Sequence, residues 1–109
     1  MRPIAVLALL PSLACAEEFS PLSGAEITEA LTGVTLTYED GAVQTFYASG
    51  RTLYDNGRPS WGTWAVRGNE YCSQWPPADG WACYAMDGAG ELLRFVGESG
   101  DVSAGMITR

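Results

Sequence analysis

The chain of 109 residues contains no histidine, and its six basic residues are all arginine, so lysine is missing as well. These absences remove the commonest general base, the Schiff-base lysine and any histidine-completed zinc site. Positive charge is scarce against thirteen Asp and Glu, which leaves a net charge of −7. Such a surface repels phosphate backbones and anionic lipid. Nucleic acid and membrane-surface partners are therefore not expected, whereas a basic protein partner would fit. No apolar run approaches the roughly 20 residues needed to cross a bilayer.

The longest apolar run, Ile4 to Leu10, belongs to MRPIAVLALLPSLACA. Arg2 precedes the run, Pro11 ends it, and Ala14-Cys15-Ala16 supplies small residues ahead of Glu17-Glu18, which is the layout of a cleavable secretory signal. Cys15 sits at the depth of a lipidation cysteine. The residue three places before it is Ser12 rather than an aliphatic one, so soluble export is expected over a lipid anchor. The expected organisation is a signal over residues 1–16 and a single small β domain over 17–109, periplasmic or secreted, with no membrane insertion after cleavage. All thirteen acidic residues stay with the domain.

Loss of the signal leaves two cysteines, Cys72 and Cys83. An even pair in an oxidising compartment, in a domain close to the marginal size for a hydrophobic core, predicts one disulfide. Closing a loop of this length stabilises the fold by about 2 to 3 kcal/mol on the chain-entropy estimate.

Ser23-Gly24-Ala25-Glu26 has capping-box spacing. Ile27 and Leu31 follow four apart on one face, and Gly33 stands where a left-handed cap would stop a short helix. From Val34 onward the pattern changes. Asp40-Gly41, Ser49-Gly50, Asn56-Gly57, Gly68-Asn69, Asp79-Gly80, Asp87-Gly88 and Ser99-Gly100 punctuate β-rich runs at hairpin intervals. The spacing predicts strands near 34–39, 42–48, 51–55, 60–67, 70–75, 81–86, 91–97 and 101–107. The expected fold is mainly β: an antiparallel meander of about eight short strands, curled or barrel-like, with one short N-terminal helix and one disulfide. An interior filled mainly by side chains is expected, which would leave any ligand cavity small.

The densest stretch is YCSQWPPADGWACY, Tyr71 to Tyr84. Folded with Cys72 opposite Cys83, it pairs Tyr71 with Tyr84 and Ser73 with Ala82. Side-chain alternation then puts Tyr71, Ser73, Trp75, Ala82 and Tyr84 on one face, with the disulfide, Gln74 and Trp81 on the other. One side is core and the other exposes either Trp81 or the set of Trp75, Tyr71 and Tyr84; with the rigid loop residues Pro76 and Pro77, these are the candidate partner contacts, since rigid aromatics lose little entropy on binding. On the preceding run, Gly62 and Trp64 share a face on which glycine leaves room for a crossing ring.

The ordinary catalytic groups being absent, carboxylates are the remaining chemistry. Asp40, Asp79 and Asp87 belong to Asp-Gly turns and Asp55 precedes Asn56-Gly57, so turn formation accounts for them. Asp87-Gly88-Ala89-Gly90-Glu91 lacks the alternating oxygen ligands of a calcium loop. No catalytic residue, metal or cofactor is assigned.

The segments TFYASGRTLY, GTWAV, YCSQWPP, WACY and LLRFVGESG together resemble small exported alphaproteobacterial proteins of unknown function, over Leu22 to about Gly105. The resemblance implies export and a compact disulfide-bonded β domain, and brings no catalytic residues. More loosely, the chain is similar to periplasmic lysozyme inhibitors, whose Ser-Gly-x-x-Tyr segment enters the enzyme cleft. Here Ser49-Gly50-Arg51-Thr52-Leu53-Tyr54 places the tyrosine one residue later, on the opposite strand face. The leading expectation is a non-enzymatic exported domain that binds a protein partner or supports the cell envelope. A lysozyme-type inhibitor, a small apolar-ligand binder and a small carboxylate-dependent hydrolase are the alternatives.

Overall fold

The computed structural model describes residues 18–108. The expected signal over residues 1–16, its cleavage site and Cys15 lie outside the described residues. Within them the chain forms β1 (Ser20–Pro21), α1 (Gly24–Leu31), β2 (Val34–Tyr38), β3 (Val43–Phe46), β4 (Arg51–Asp55), β5 (Pro59–Arg67), β6 (Glu70–Gln74), β7 (Ala82–Ala89), β8 (Leu92–Val96) and β9 (Val102–Ile107). Strands β2 to β9 follow one another as an antiparallel meander, and β9 pairs back onto β2 through Leu36 with Ile107 and Tyr38 with Gly105. The sheet is thereby closed into an eight-stranded barrel. Closure removes the exposed edges that an open meander would carry.

The capping box is formed: the Ser23 hydroxyl accepts from the Glu26 amide, and the Glu26 carboxylate accepts from the Ser23 amide. The helix is docked by more than its apolar face. The Asn69 side chain accepts the Gly24 amide at 2.7 Å, and a Cβ at Gly24 would collide with the Gly68 carbonyl on the β5–β6 turn. At the other end Gly33, at φ +76°, donates its amide to the Phe46 carbonyl. The helix thus crosses one end of the barrel from the β5–β6 turn to the end of β3. It plugs that end with Ile27 and Leu31, both fully buried.

Two turn expectations are corrected. Asp87 and Gly88 lie inside β7, and the chain reverses only after Ala89, at Gly90 with φ +62°. The reason is pairing: Asp87 faces Arg94 on β8 and accepts from its Nε and Nη2, at 2.7 and 2.8 Å, while Gly88 sits against the Leu93 side chain. Gly80 has no positive φ either. The β6–β7 ladder ends at Ser73 and Ala82, so 75–81 is an open loop rather than a tight hairpin turn.

β1 was not expected from periodicity. β6 covers only the first part of β7, and Ser20 and Pro21 pair with Gly88 and Asp87 on the edge left over. Phe19 lies against the Arg94 guanidinium, 3.7 Å from its ring centroid. The described chain therefore enters beside the helix-plugged end, and it leaves there too, because the Thr108 amide donates to the Thr35 carbonyl at the start of β2.

The interior divides in two. Its plugged half is packed by Ile27, Leu31, Leu36, Phe46, Trp64, Met86 and Leu93. Phe46 meets the Trp64 and Tyr71 rings edge to face at 5.7 and 5.8 Å, a favoured geometry for buried rings. The other half is not filled. Inward positions there are occupied by Ser60, Gly62, Ser73, Ser103 and Gly105, which are too small to meet across the barrel, and a cavity of about 610 Å³ opens to solvent. The expectation of a small cavity is therefore corrected.

Candidate functional site

Strand alternation places Tyr38 on β2, Gln44 on β3, Tyr54 on β4, Ser60 on β5, Tyr71 and Ser73 on β6, Tyr84 on β7, Phe95 on β8 and Ser103 on β9 around this open cup. Trp75, just beyond β6, completes the wall by crossing over Gly62. A Cβ on that glycine would stand 2.6 Å from Trp75 Cε3 and 2.8 Å from the Gln74 carbonyl. The small residue two places before Trp64 thus exists to admit a ring, which is what the sequence pattern implies. Gly105 does the same for Tyr38, whose Cε1 would lie 3.1 Å from a Cβ there.

Six rings run as a continuous belt around the wall. Trp75 meets Tyr54 at 6.3 Å between centroids, Tyr54 meets Tyr38 at 6.2 Å, and Tyr38 meets Phe95 at 6.4 Å. Phe95 then meets Tyr71 at 5.0 Å, and Tyr71 meets Tyr84 at 6.4 Å. A polar line runs along one side. The Tyr38 hydroxyl donates to Gln44 Oε1 at 2.7 Å, Gln44 Nε2 donates to Thr52 Oγ1 at 2.9 Å, and Thr52 donates to the Thr45 carbonyl. The relay fixes the Gln44 amide, and Trp75 Nε1 is held by Ser73 Oγ at 3.1 Å.

Burial lifts the Tyr71 hydroxyl to about 12, against the opposing hydrogen bonds of Ser73 and Gln44. The Tyr38 hydroxyl is raised as well, first by burial and then by its tyrosine neighbours Tyr71 and Tyr54. Both remain neutral hydroxyls at physiological pH. Around the mouth, Glu39, Asp40 and Asp101 also line the cavity, and all three are exposed.

The six candidate contact residues separate. Tyr71, Tyr84 and Trp75 line the cup, and with only 4 % of Tyr71 exposed, that residue has nothing to offer a partner outside it. Pro76 and Pro77 are exposed on the 75–81 loop. Trp81 is 36 % exposed on the outer face, where the Arg67 guanidinium lies over its ring at 4.3 Å. Cys72 and Cys83 are bonded to each other at the expected cross-strand pair. Trp81 is thus the tryptophan of the hairpin that faces water.

Tyr38, Gln44, Tyr54, Ser60, Phe95 and Ser103 were not expected to share a site, although Tyr54 stood out in the Ser49–Tyr54 segment. Alternation carried from Leu36, Phe46 and Thr52 would have sent Tyr38, Gln44 and Tyr54 inward. A glutamine at an interior position, here 6 % exposed, is the clearest such signal. Among the described residues no group of three or more Cys, Asp or Glu is placed to hold a metal ion. Compared with known proteins, the chain matches no family model, no curated protein and no solved structure.

Proposed function

We propose that this chain is an exported, non-enzymatic binding module that holds a small molecule in the open half of its barrel. The observation that carries the reading is the cup of about 610 Å³, walled by six aromatic rings with fixed polar groups among them. Mostly apolar concavities with a few convergent polar groups are the usual form of a small-molecule site. Several features support a non-enzymatic role. The three carboxylates in the wall are exposed, whereas a general acid is normally kept protonated by burial, and the chain has neither histidine nor lysine. Export is supported by the formed disulfide, which persists in oxidising compartments.

The test is a diverse small-molecule panel, read by tryptophan fluorescence and calorimetry on the purified chain and on Ser103→Trp. Ser103 is exposed at the mouth and pairs with Phe95, so an indole there enters the cup without disturbing the packed half. Ligands should bind the wild type and be lost from the variant at unchanged melting temperature. A panel without a binder, or binding indifferent to Ser103→Trp, defeats the reading.

A protein-partner role has its own support in Pro76, Pro77 and Trp81, which are exposed on one loop beside the cup. Capture from envelope extract should then differ between wild type and Trp81→Ala, and identical profiles remove the loop from that role. Tyr54 turns into the cup, which weighs against its acting as the cleft-entering tyrosine of a lysozyme-type inhibitor.

A further inference from the structure

Resting on the reading of the cup as a ligand site, we infer that its ligand is an organic cation, an ammonium group carrying apolar substituents. The wall and the mouth act together. The faces of aromatic rings carry negative potential and attract a cation lying within about 6 Å of the centroid. Here successive rings are inclined to one another by 37° to 76°. Phe95 and Tyr71 each stack on a ring of the packed half, Phe46 and Trp64, whereas Tyr38, Tyr54, Trp75 and Tyr84 stack on no ring among the described residues and keep their faces for a ligand.

The charge is one-sided. Every carboxylate or guanidinium in the cavity wall is a carboxylate: Glu39, Asp40 and Asp101. At that end of the barrel, residues 39–42, 55–58, 75–81 and 97–101 hold six carboxylates, the others being Asp55, Asp79 and Glu98, against one guanidinium, Arg58. The remaining described arginines are kept out of the cup. Arg51, Arg67 and Arg94 each cover a ring elsewhere, Trp61 at 4.1 Å, Trp81 at 4.3 Å and Phe19 at 3.7 Å. Among the described residues the protein's own cations thus leave the belt unoccupied while its anions crowd the entrance.

An anion would meet like charge at a low-dielectric mouth, where field lines are focused. An uncharged ligand can pack on the ring faces but draws nothing from the field. A bare ammonium gives up much hydration on entry, whereas apolar substituents lower that cost and fill the space between rings.

The test is calorimetric titration of the purified chain with three ligands of one shape: choline, its uncharged isostere with carbon in place of nitrogen, and tert-butylacetate as the anion. Choline should bind about tenfold more tightly than the isostere, and the anion should be weakest. The gap should narrow with added salt and with Glu39→Gln, an exposed substitution that leaves the melting temperature unchanged. Tyr54→Leu should cut choline's advantage about threefold. If the isostere binds as well as choline, the cation is wrong and the cup remains a ligand site. The cation also fails alone if none of the three binds while other compounds bind in a manner sensitive to Ser103→Trp. Choline binding that survives Ser103→Trp overturns the inference by placing the cation elsewhere.

Discussion

Gly62 shows how a missing side chain builds a wall. Its Cβ position is filled by the face of Trp75, with the Gln74 carbonyl close by on the paired strand. Gly62→Ala should therefore expel the indole and destabilise the fold by about 1 to 3 kcal/mol. Urea unfolding checks the stability, and a red shift in tryptophan emission checks the displacement. The buried tyrosines impose a different limit. Because the folded-state pKa of Tyr71 is raised from 10 to about 12, its contribution to stability is complete below pH 10 and is lost as pH rises toward 12. Tyr38 is raised in the same direction. Alkaline titration should show late tyrosinate absorbance that coincides with loss of ring circular dichroism; early titration of every tyrosine without unfolding would contradict it.

Among the elements, the β6–β7 pair depends most on its covalent link. Its ladder spans only Tyr71 to Ser73 against Ala82 to Tyr84, with Cys72–Cys83 at the centre. Beyond it a seven-residue loop must be held open, 75–81. Reduction should cost about 2 to 3 kcal/mol, measured as the difference in unfolding free energy from urea titrations with and without reductant, each fitted with its own m-value. Intact mass after alkylation should show neither Cys72 nor Cys83 as a thiol before reduction.

The hairpin was legible because cysteine spacing fixed its register, and the remaining strands were legible from turn dipeptides and alternation. Two elements were not. Asp87-Gly88 has the composition of a turn, yet its aspartate is recruited by Arg94 seven residues later and its glycine is required by Leu93 packing. Those are contacts across a ladder rather than along the chain. β1 has only two residues and exists because β7 outruns β6, which no local pattern announces.

For the molecule as a whole, eight consecutive antiparallel strands and one short helix were legible, but closure was not, because a curled meander and a barrel share the same local pattern until β9 pairs with β2, and neither was the empty half. Side-chain volume summed along a chain does not say where small residues meet. Ser60, Gly62, Ser73, Ser103 and Gly105 come from three different strands, and only the closed register brings them to one end. The same register sets the polarity of the whole molecule. Glu18 and Thr108, the limits of the described chain, both lie toward the plugged pole, with the cup at the opposite one. A linker, tag or anchor joined at either limit therefore displays the mouth away from its support, like a cup standing on its base. Sensors built on this barrel can be immobilised by either terminus without blocking access, whereas cargo inserted into 75–81 would sit beside the opening and work as a shutter.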